Sequence, residues 1–336
     1  MTTISAKMIA YSMHAECNIR IASYELTYPA FFHQDLMTHR DFSRSASSTR
    51  AIPMREMLRR IWKDMAKPTH WGKNKPGMQA NEELVGWRRK LAIALWVFAG
   101  YCAMAIAWCM NKVGVHKQVG NMLLWPFMHF QTIVTATEFR NFFELRNHKD
   151  ARPELQTLAK RMLQLWIAEM PILLKPGEWH LVYVSQEERQ KYDTQTLLQI
   201  STARAARVSY LNHAGKRPSL EEDKALFQRL VGQSPVHVSP AEHQATPDTR
   251  TTLKTRIYKN GYVACGLDWD NPELHGNFVG FVQHRKWIPN EAVRDSYYLG
   301  NPTGIAEKHM RQLSTYAHTV ASAYAKDYRN LSKATN

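Results

Sequence analysis

Residues 91–110 carry no charged side chain, and such a run of 20 residues makes a helix of ~30 Å, enough to cross a bilayer or to form the centre of a large soluble domain. It is rich in Ala and contains Gly100, Tyr101, Cys102 and Cys109; Arg88, Arg89 and Lys90 precede it and Lys112 follows. Basic residues on both flanks give no orientation across a membrane. No second segment resembles a span and the mean hydropathy of the chain is low, so the run is read as a fully buried central helix. The first 30 residues lack the charged, apolar and cleavage regions of a signal peptide.

Around that helix, 336 residues with 44% hydrophobic and 11% aromatic content can bury one large core or two ordinary ones, which excludes a disordered tail protein. Lys and Arg total 44 against 29 Asp and Glu, a formal charge of +15, and a field of that sign attracts nucleotides, nucleic acid or acidic membrane without choosing among them. Cys17, Cys102, Cys109 and Cys265 show no metal-ligand spacing and no disulfide framework, which points to a reducing, cytoplasmic compartment and to no metal.

Residues 7–28 alternate, with Ile9, Tyr11, Ile19, Ile21, Tyr24, Leu26 and Tyr28 suggesting two strands about a turn near Cys17 and Asn18. Residues 30–40 read as a short helix. A second starts near Pro53 and puts Met54, Met57, Leu58 and Ile61 on one face. Residues 116–147 have helical periodicity that Pro126 should kink or break, 155–170 form a further helix, and Ser219 with Glu222 makes a capping box. Short strand-like runs follow over 231–289, and a last helix spans 305–330. The class expected is α+β, antiparallel strands packed with a dominant layer of long helices, with a main domain over 1–300 and a C-terminal helix and polar tail over 301–336.

The densest polar cluster runs from Thr38 to Arg50 and holds His39, Arg40, Ser43, Arg44, Ser45, Ser47, Ser48 and Thr49. Hydroxyls and Arg forks in a turn suit a phosphate or a base edge, and a solvated helix cap has the same composition. Thr135, Phe139, Phe142 and Arg146 fall at helical spacing, so Arg146 ends an apolar stripe. There it either meets a carboxylate such as Glu154 or is aimed at an electron-rich ligand. His237, Glu242 and His243 surround Pro240, which interrupts zinc-hydrolase spacing; Ser239 as a helix cap is the better local account.

Four segments together resemble the flavin-dependent thymidylate synthases. His39, Arg40, Ser43, Ser48 and Arg50 fit the spacing of the family signature, with Thr38 in place of its first Arg. Asn141-Phe142-Phe143-Glu144-Leu145-Arg146 with Ala151 and Pro153-Glu154 is similar to a second segment, Ser239-Pro240-Ala241-Glu242-His243 to a third, and Ala206-Arg207-Val208-Ser209-Tyr210 to a fourth. The last two follow the first here, whereas they precede it in most members, so the chain resembles a circularly permuted subgroup over residues 5–290.

The resemblance implies FAD-dependent transfer of a one-carbon unit from methylenetetrahydrofolate to C5 of dUMP, giving dTMP, with NADPH as reductant and a homotetramer whose sites lie at subunit interfaces. It implies contacts to flavin from Thr38, His39, Arg40, Asn141 and Ser239, with His237 on the folate side. Ser48, Thr49, Arg50 and Gln283 would bind the nucleotide, and Arg146 would face and activate the pyrimidine. The chain departs from the family at Met122, where a nucleotide-facing Arg is usual, at Ser45 in place of Asn and at Arg152 in place of Gln. A relative acting on dCMP or delivering hydroxymethyl, and a non-catalytic nucleic-acid-binding protein, are the other readings.

Overall fold

The alternation over residues 7–28 is a hairpin: β1 (Ser5–His14) and β2 (Arg20–Pro29) pair antiparallel, with Tyr11 opposite Ala22 and Asn18 at a positive φ of 57° in the turn. The chain is described from a computed structural model over residues 2–76, 82–208, 216–233, 235–257 and 263–291. It divides into two compact units, Met1–Pro289 and Asn290–Asn336, and every element below belongs to the first. The helix expected over 305–330 lies outside the described residues, as do Ser209 and Tyr210.

After the hairpin come α1 (His33–Met37), β3 (Ser43–Ala46), α2 (Met54–Lys63), α3 (Gly86–Lys112) and α4 (Lys117–Gly120). Then follow β4 (His129–Ala136), α5 (Arg140–Asn147), α6 (Pro153–Ala168), β5 (Ile172–Leu174), α7 (Gln186–Lys191), α8 (Thr194–Arg207) and α9 (Leu220–Val231). The last are β6 (Ala245–Pro247), β7 (Thr252–Ile257), β8 (Val263–Asp268) and β9 (Phe281–Gln283). The main sheet has the order β3-β4-β2-β1-β5. Its pairs are antiparallel except β1 with β5, so the fold is α+β as expected but the sheet is mixed.

Because side chains alternate across a strand, the sheet has two different faces. Tyr24, Leu26 and Tyr28 of β2 and Phe130 and Val134 of β4 join the main core with Phe139, Phe142, Leu155 and Met162 from α5, α6 and the turn before them. On the other face Ile133 packs with Val182, Tyr183, Ala205 and Val208. The capping box at α9 is present, Glu222 N donating to Ser219 Oγ (3.2 Å) and Ser219 N to Glu222 Oε2 (2.9 Å).

Three expectations are corrected. The helix at 91–110 exists as α3, 27 residues long, but of its residues only Gly100 and Ala107 are buried, while Trp87 is 68%, Phe98 65% and Trp108 52% exposed. One side is seated on the domain, where Trp96 Nε1 donates to Ala66 O (2.9 Å) and Gly100 lies so close to Met65 that a Cβ would come within 2.5 Å of its sulfur. A helix apolar all round carries no mark of which side is covered, which is why the sequence reads as full burial. By length and composition alone α3 can also cross a membrane.

The buried helix is instead α8, whose residues from Thr196 to Ala205 are buried except Gln199. Its polar groups are satisfied inside: Ser201 Oγ accepts from Val182 N (3.0 Å) and donates to Val182 O (2.9 Å). Arg204 donates to Glu188, Asp223 and Tyr183 O at 2.7–3.0 Å. Buried polar groups are tolerated when paired, and a polar sequence hides that pairing.

The second correction is β4, which replaces the helix expected across 116–147. Its β-branched run Thr132-Ile133-Val134-Thr135 fills the place between β2 and β3, with Ser23 opposite Thr135 and Thr135 opposite Ser43. Thr135 therefore lies on a strand, and only Phe142 and Arg146 of the supposed stripe lie on α5, with Phe139 just before it. The third is the cap at Ser239: Val238 is the capping residue of a 3-10 turn, Ser239–His243, and no side chain caps it.

Candidate active site

The turn after α1 brings Thr38 and His39 against the C-terminal turn of α5. Arg146 Nε donates to His39 Nε2 (2.8 Å) and Nη2 donates to Thr38 Oγ1 (3.2 Å). The carboxylate partner considered for Arg146 is engaged elsewhere, since Glu154 accepts from Thr69 N (2.8 Å) and Thr69 Oγ1 (3.1 Å) and lies 3.5 Å from Arg152. A guanidinium has five N–H groups, so the Nη1 pair and the second hydrogen of Nη2 remain available to a ligand.

His39 is held by rings. It stacks on Phe42 and meets Phe142 edge-on, at centroid separations of 5.7 and 4.9 Å, and Phe42 in turn packs on Phe139 and Phe142. Burial first, and then the charges of Arg146 and Arg44, push its pKa down to about 4, with Asp41 opposing. His39 is thus neutral near pH 7, and because Nε2 accepts from Arg146 its proton sits on Nδ1. This apolar base fixes the guanidinium without neutralising it.

From Phe42 the chain runs directly into β3, where Ser43 and Ser45, continued by Ser47 just past its end, repeat at the strand period. Ser43 Oγ donates to Asn277 Oδ1 (3.0 Å), Gln283 Nε2 reaches Ser43 Oγ (3.2 Å), Glu242 O and Asn277 Oδ1 (both 3.1 Å), and Ser45 Oγ lies 2.9 Å from His243 Nε2. Gln283 is buried and knits β3 to the Ser239–His243 turn, its amide nitrogen bonded to three protein oxygens. The loop beyond β3 is clamped by buried Asn121, whose Nδ2 donates to Thr49 O (2.8 Å) and Ile52 O (3.1 Å).

The structure joins Thr38, His39 and Arg146 directly. Ser48, Thr49 and Arg50 lie on the clamped loop with Ser48 and Arg50 exposed, and Arg40 is exposed beside His39. Asn141 is exposed on the first turn of α5, roughly 140° around the helix from Arg146. Ser239 and His237 are also exposed, and no side-chain bond connects Asn141, Ser239 or His237 to the Arg146 group among the described residues. Arg207 of the fourth motif is paired with Asp223 and donates to Glu222 O (3.2 Å). Met122 is exposed. Sequence reasoning missed Asn121 and Asn277 as scaffold residues; Asn277 has no sequence signal, and the Ser43-Ser45-Ser47 spacing was the clue to a strand rather than a cap.

No family model and no curated protein matches the chain. Among solved structures, a UMP/dUMP methylase PolB from Streptomyces cacaoi is similar in two crystal structures: bound with 5-Br dUMP, at TM-score 0.40 and 12% identity, and bound with 5-Br UMP, at 0.41 and 13%. The likeness covers 49% of this chain and 90% and 89% of those chains.

Proposed function

We propose that the protein is a flavin-dependent methyltransferase acting at C5 of a pyrimidine nucleotide, most simply dUMP to dTMP. The observation that carries this reading is the Thr38–His39–Arg146 group, a guanidinium held on an aromatic base with N–H groups to spare, at the head of a hydroxyl-rich strand and loop. Exposed Arg40, Ser48 and Arg50 are the donor chemistry that phosphates require, so the residues present fit both a flavin nucleotide and a nucleoside monophosphate. Bound FAD, reduced by NADPH, would supply the electrons that bring the carbon of methylenetetrahydrofolate to the methyl level. The chain's own tasks are to hold two planar ligands, with Arg40 on the cofactor and Ser48, Thr49 and Arg50 on the nucleotide phosphate, and to draw negative charge toward the N3 and O2 edge of the ring with Arg146. Asn141, Ser239 and His237 belong to the cofactor side of this reading.

The reading includes a cytoplasmic homotetramer with sites at subunit interfaces, an assembly that offers cover to the exposed side of α3. Addition of FAD to the purified protein is expected to give a retained flavin absorption band. Arg40→Ala should weaken FAD binding by about 1 to 3 kcal/mol if a charge-assisted bond is lost. Protein that stays colourless after gel filtration with FAD removes the cofactor from the account, and unchanged affinity removes Arg40 from the site.

A further inference from the structure

Six side chains on the face of the sheet opposite the main core are linked end to end. Ser12 Oγ lies 2.9 Å from His180 Nδ1, His180 Nε2 lies 2.8 Å from Ser23 Oγ, and Ser23 Oγ lies 2.6 Å from Thr135 Oγ1. Thr135 Oγ1 is 2.8 Å from His243 Nδ1, and His243 Nε2 is 2.9 Å from Ser45 Oγ. The chain thus crosses four of the five strands of the sheet, β1, β2, β4 and β3, and the two histidines bridge them from the segments that cover this face. Ser12, Ser23, Thr135, His180 and His243 are buried; Ser45 alone is partly accessible.

Proton accounting leaves few arrangements. Each hydroxyl has one hydrogen, and each neutral imidazole has one N–H and one lone pair. Ser23 and Thr135 each touch two members of the chain, so a buried hydroxyl that accepted from both neighbours would leave its own hydrogen unpaired, which is costly. Only two arrangements bond every internal contact and leave neither Ser23 nor Thr135 with an unpaired hydrogen. All hydrogens point from Ser45 toward Ser12, with both rings carrying Nδ1–H, or all point from Ser12 toward Ser45, with both carrying Nε2–H. The ends decide between them. Ser12 has no other side-chain partner among the described residues, and its hydrogen finds an acceptor within the chain only in the second arrangement. Ser45 can direct its hydrogen outward at no such cost.

We infer that these six residues form one directed hydrogen-bond chain in which His180 and His243 share the Nε2–H tautomer, leaving Ser45 as a hydrogen-bond donor to whatever binds over β3. A ligand phosphate or carbonyl oxygen over β3 can accept the Ser45 hydrogen, whereas in the reversed arrangement it is committed to His243 Nε2 and Ser45 can only accept. His180 and His243 are positioning residues acting through Ser45, and the inference does not depend on the reaction proposed above.

Long-range proton–nitrogen correlation spectra of the full chain labelled with 15N-histidine, taken at pH 7, test it without any substitution. Both buried rings are expected to show the Nε2–H pattern. An Nδ1–H or doubly protonated ring at either position overturns the inference. Ser12→Ala, a small change at the closed end, removes the donor that sets the direction and keeps the four contacts from His180 to Ser45. Whatever fraction of Nδ1–H then appears is expected to be equal in the two rings, and unequal fractions show that they are not coupled.

Discussion

Between pH 6.5 and 4 the protein is expected to lose its folded state in a steep transition. His180, His243 and His284 are buried, and burial pushes their pKa values down to about 3, 3 and 4. Arg189 and then His243 lower His180 further. In the unfolded chain each ring titrates near 6.5. Over the interval from 6.5 down to 4 the unfolded state therefore binds protons that the native state refuses, so stability falls as pH falls. The contribution of the neutral rings is fully present above about pH 6.5 and is lost as pH drops toward the folded values. Near pH 5 three such rings give a slope of roughly 4 kcal/mol per pH unit, which over one to two units is comparable to the whole stability of a domain. His39 adds to the same trend with less weight because it is only half-buried. The carboxylate of Glu188, held down to about 2 by Arg204, backbone N–H and Arg217 against the opposing effect of burial, stays ionised through this range and does not offset the loss. Urea unfolding at pH 7, 6 and 5 measures the slope, and a stability unchanged from pH 7 to 5 contradicts the burial of these rings.

Arg146→Ala is expected to lower turnover of the proposed reaction on the order of 100-fold, the effect of removing one preorganised charge-stabilising group. The guanidinium is fixed at two points, by His39 and Thr38, on a base of Phe42, Phe139 and Phe142, so it requires little reorganisation as charge develops on the pyrimidine. Arg146→Lys should recover little, since one ammonium cannot bond His39 and Thr38 in a plane and still present a fork to the ring. Thermal stability should stay nearly unchanged because no buried carboxylate depends on Arg146. A variant that keeps full turnover, or one whose loss matches a loss of folded protein, assigns Arg146 to structure.

The legible parts of the fold were those whose local chemistry is self-contained. Alternation and a turn defined the β1–β2 hairpin, the Ser219/Glu222 box opened α9, and the Met54, Met57, Ile61 face marked α2. What depended on neighbours was not legible. The Thr135, Phe139, Phe142 spacing satisfies a helical period by coincidence, and it is the place of β4 between β2 and β3 that makes it a strand. The polar α8 is buried because Glu188, Asp223 and Val182 meet its side chains, and those partners are distant in sequence. In the site, the resemblance put Thr38 and His39 on the cofactor and Arg146 on the pyrimidine as separate contacts, and the hydrogen bonds that join the three depend on how α5 meets the turn after α1. Gln283 could be placed near the site, but its role in tying β3 to the 3-10 turn is a matter of packing.

The account is tested most directly by the mass of the nucleotide recovered after the purified protein is incubated with dUMP, FAD, NADPH and methylenetetrahydrofolate. It predicts a product heavier than dUMP by one CH2, a methyl group having replaced the C5 hydrogen, formed only when all four are present. A product bearing hydroxymethyl, or turnover of dCMP and not dUMP, would keep the site and change its substrate or end point. Recovery of every nucleotide unchanged by a protein that retains FAD would contradict the central claim.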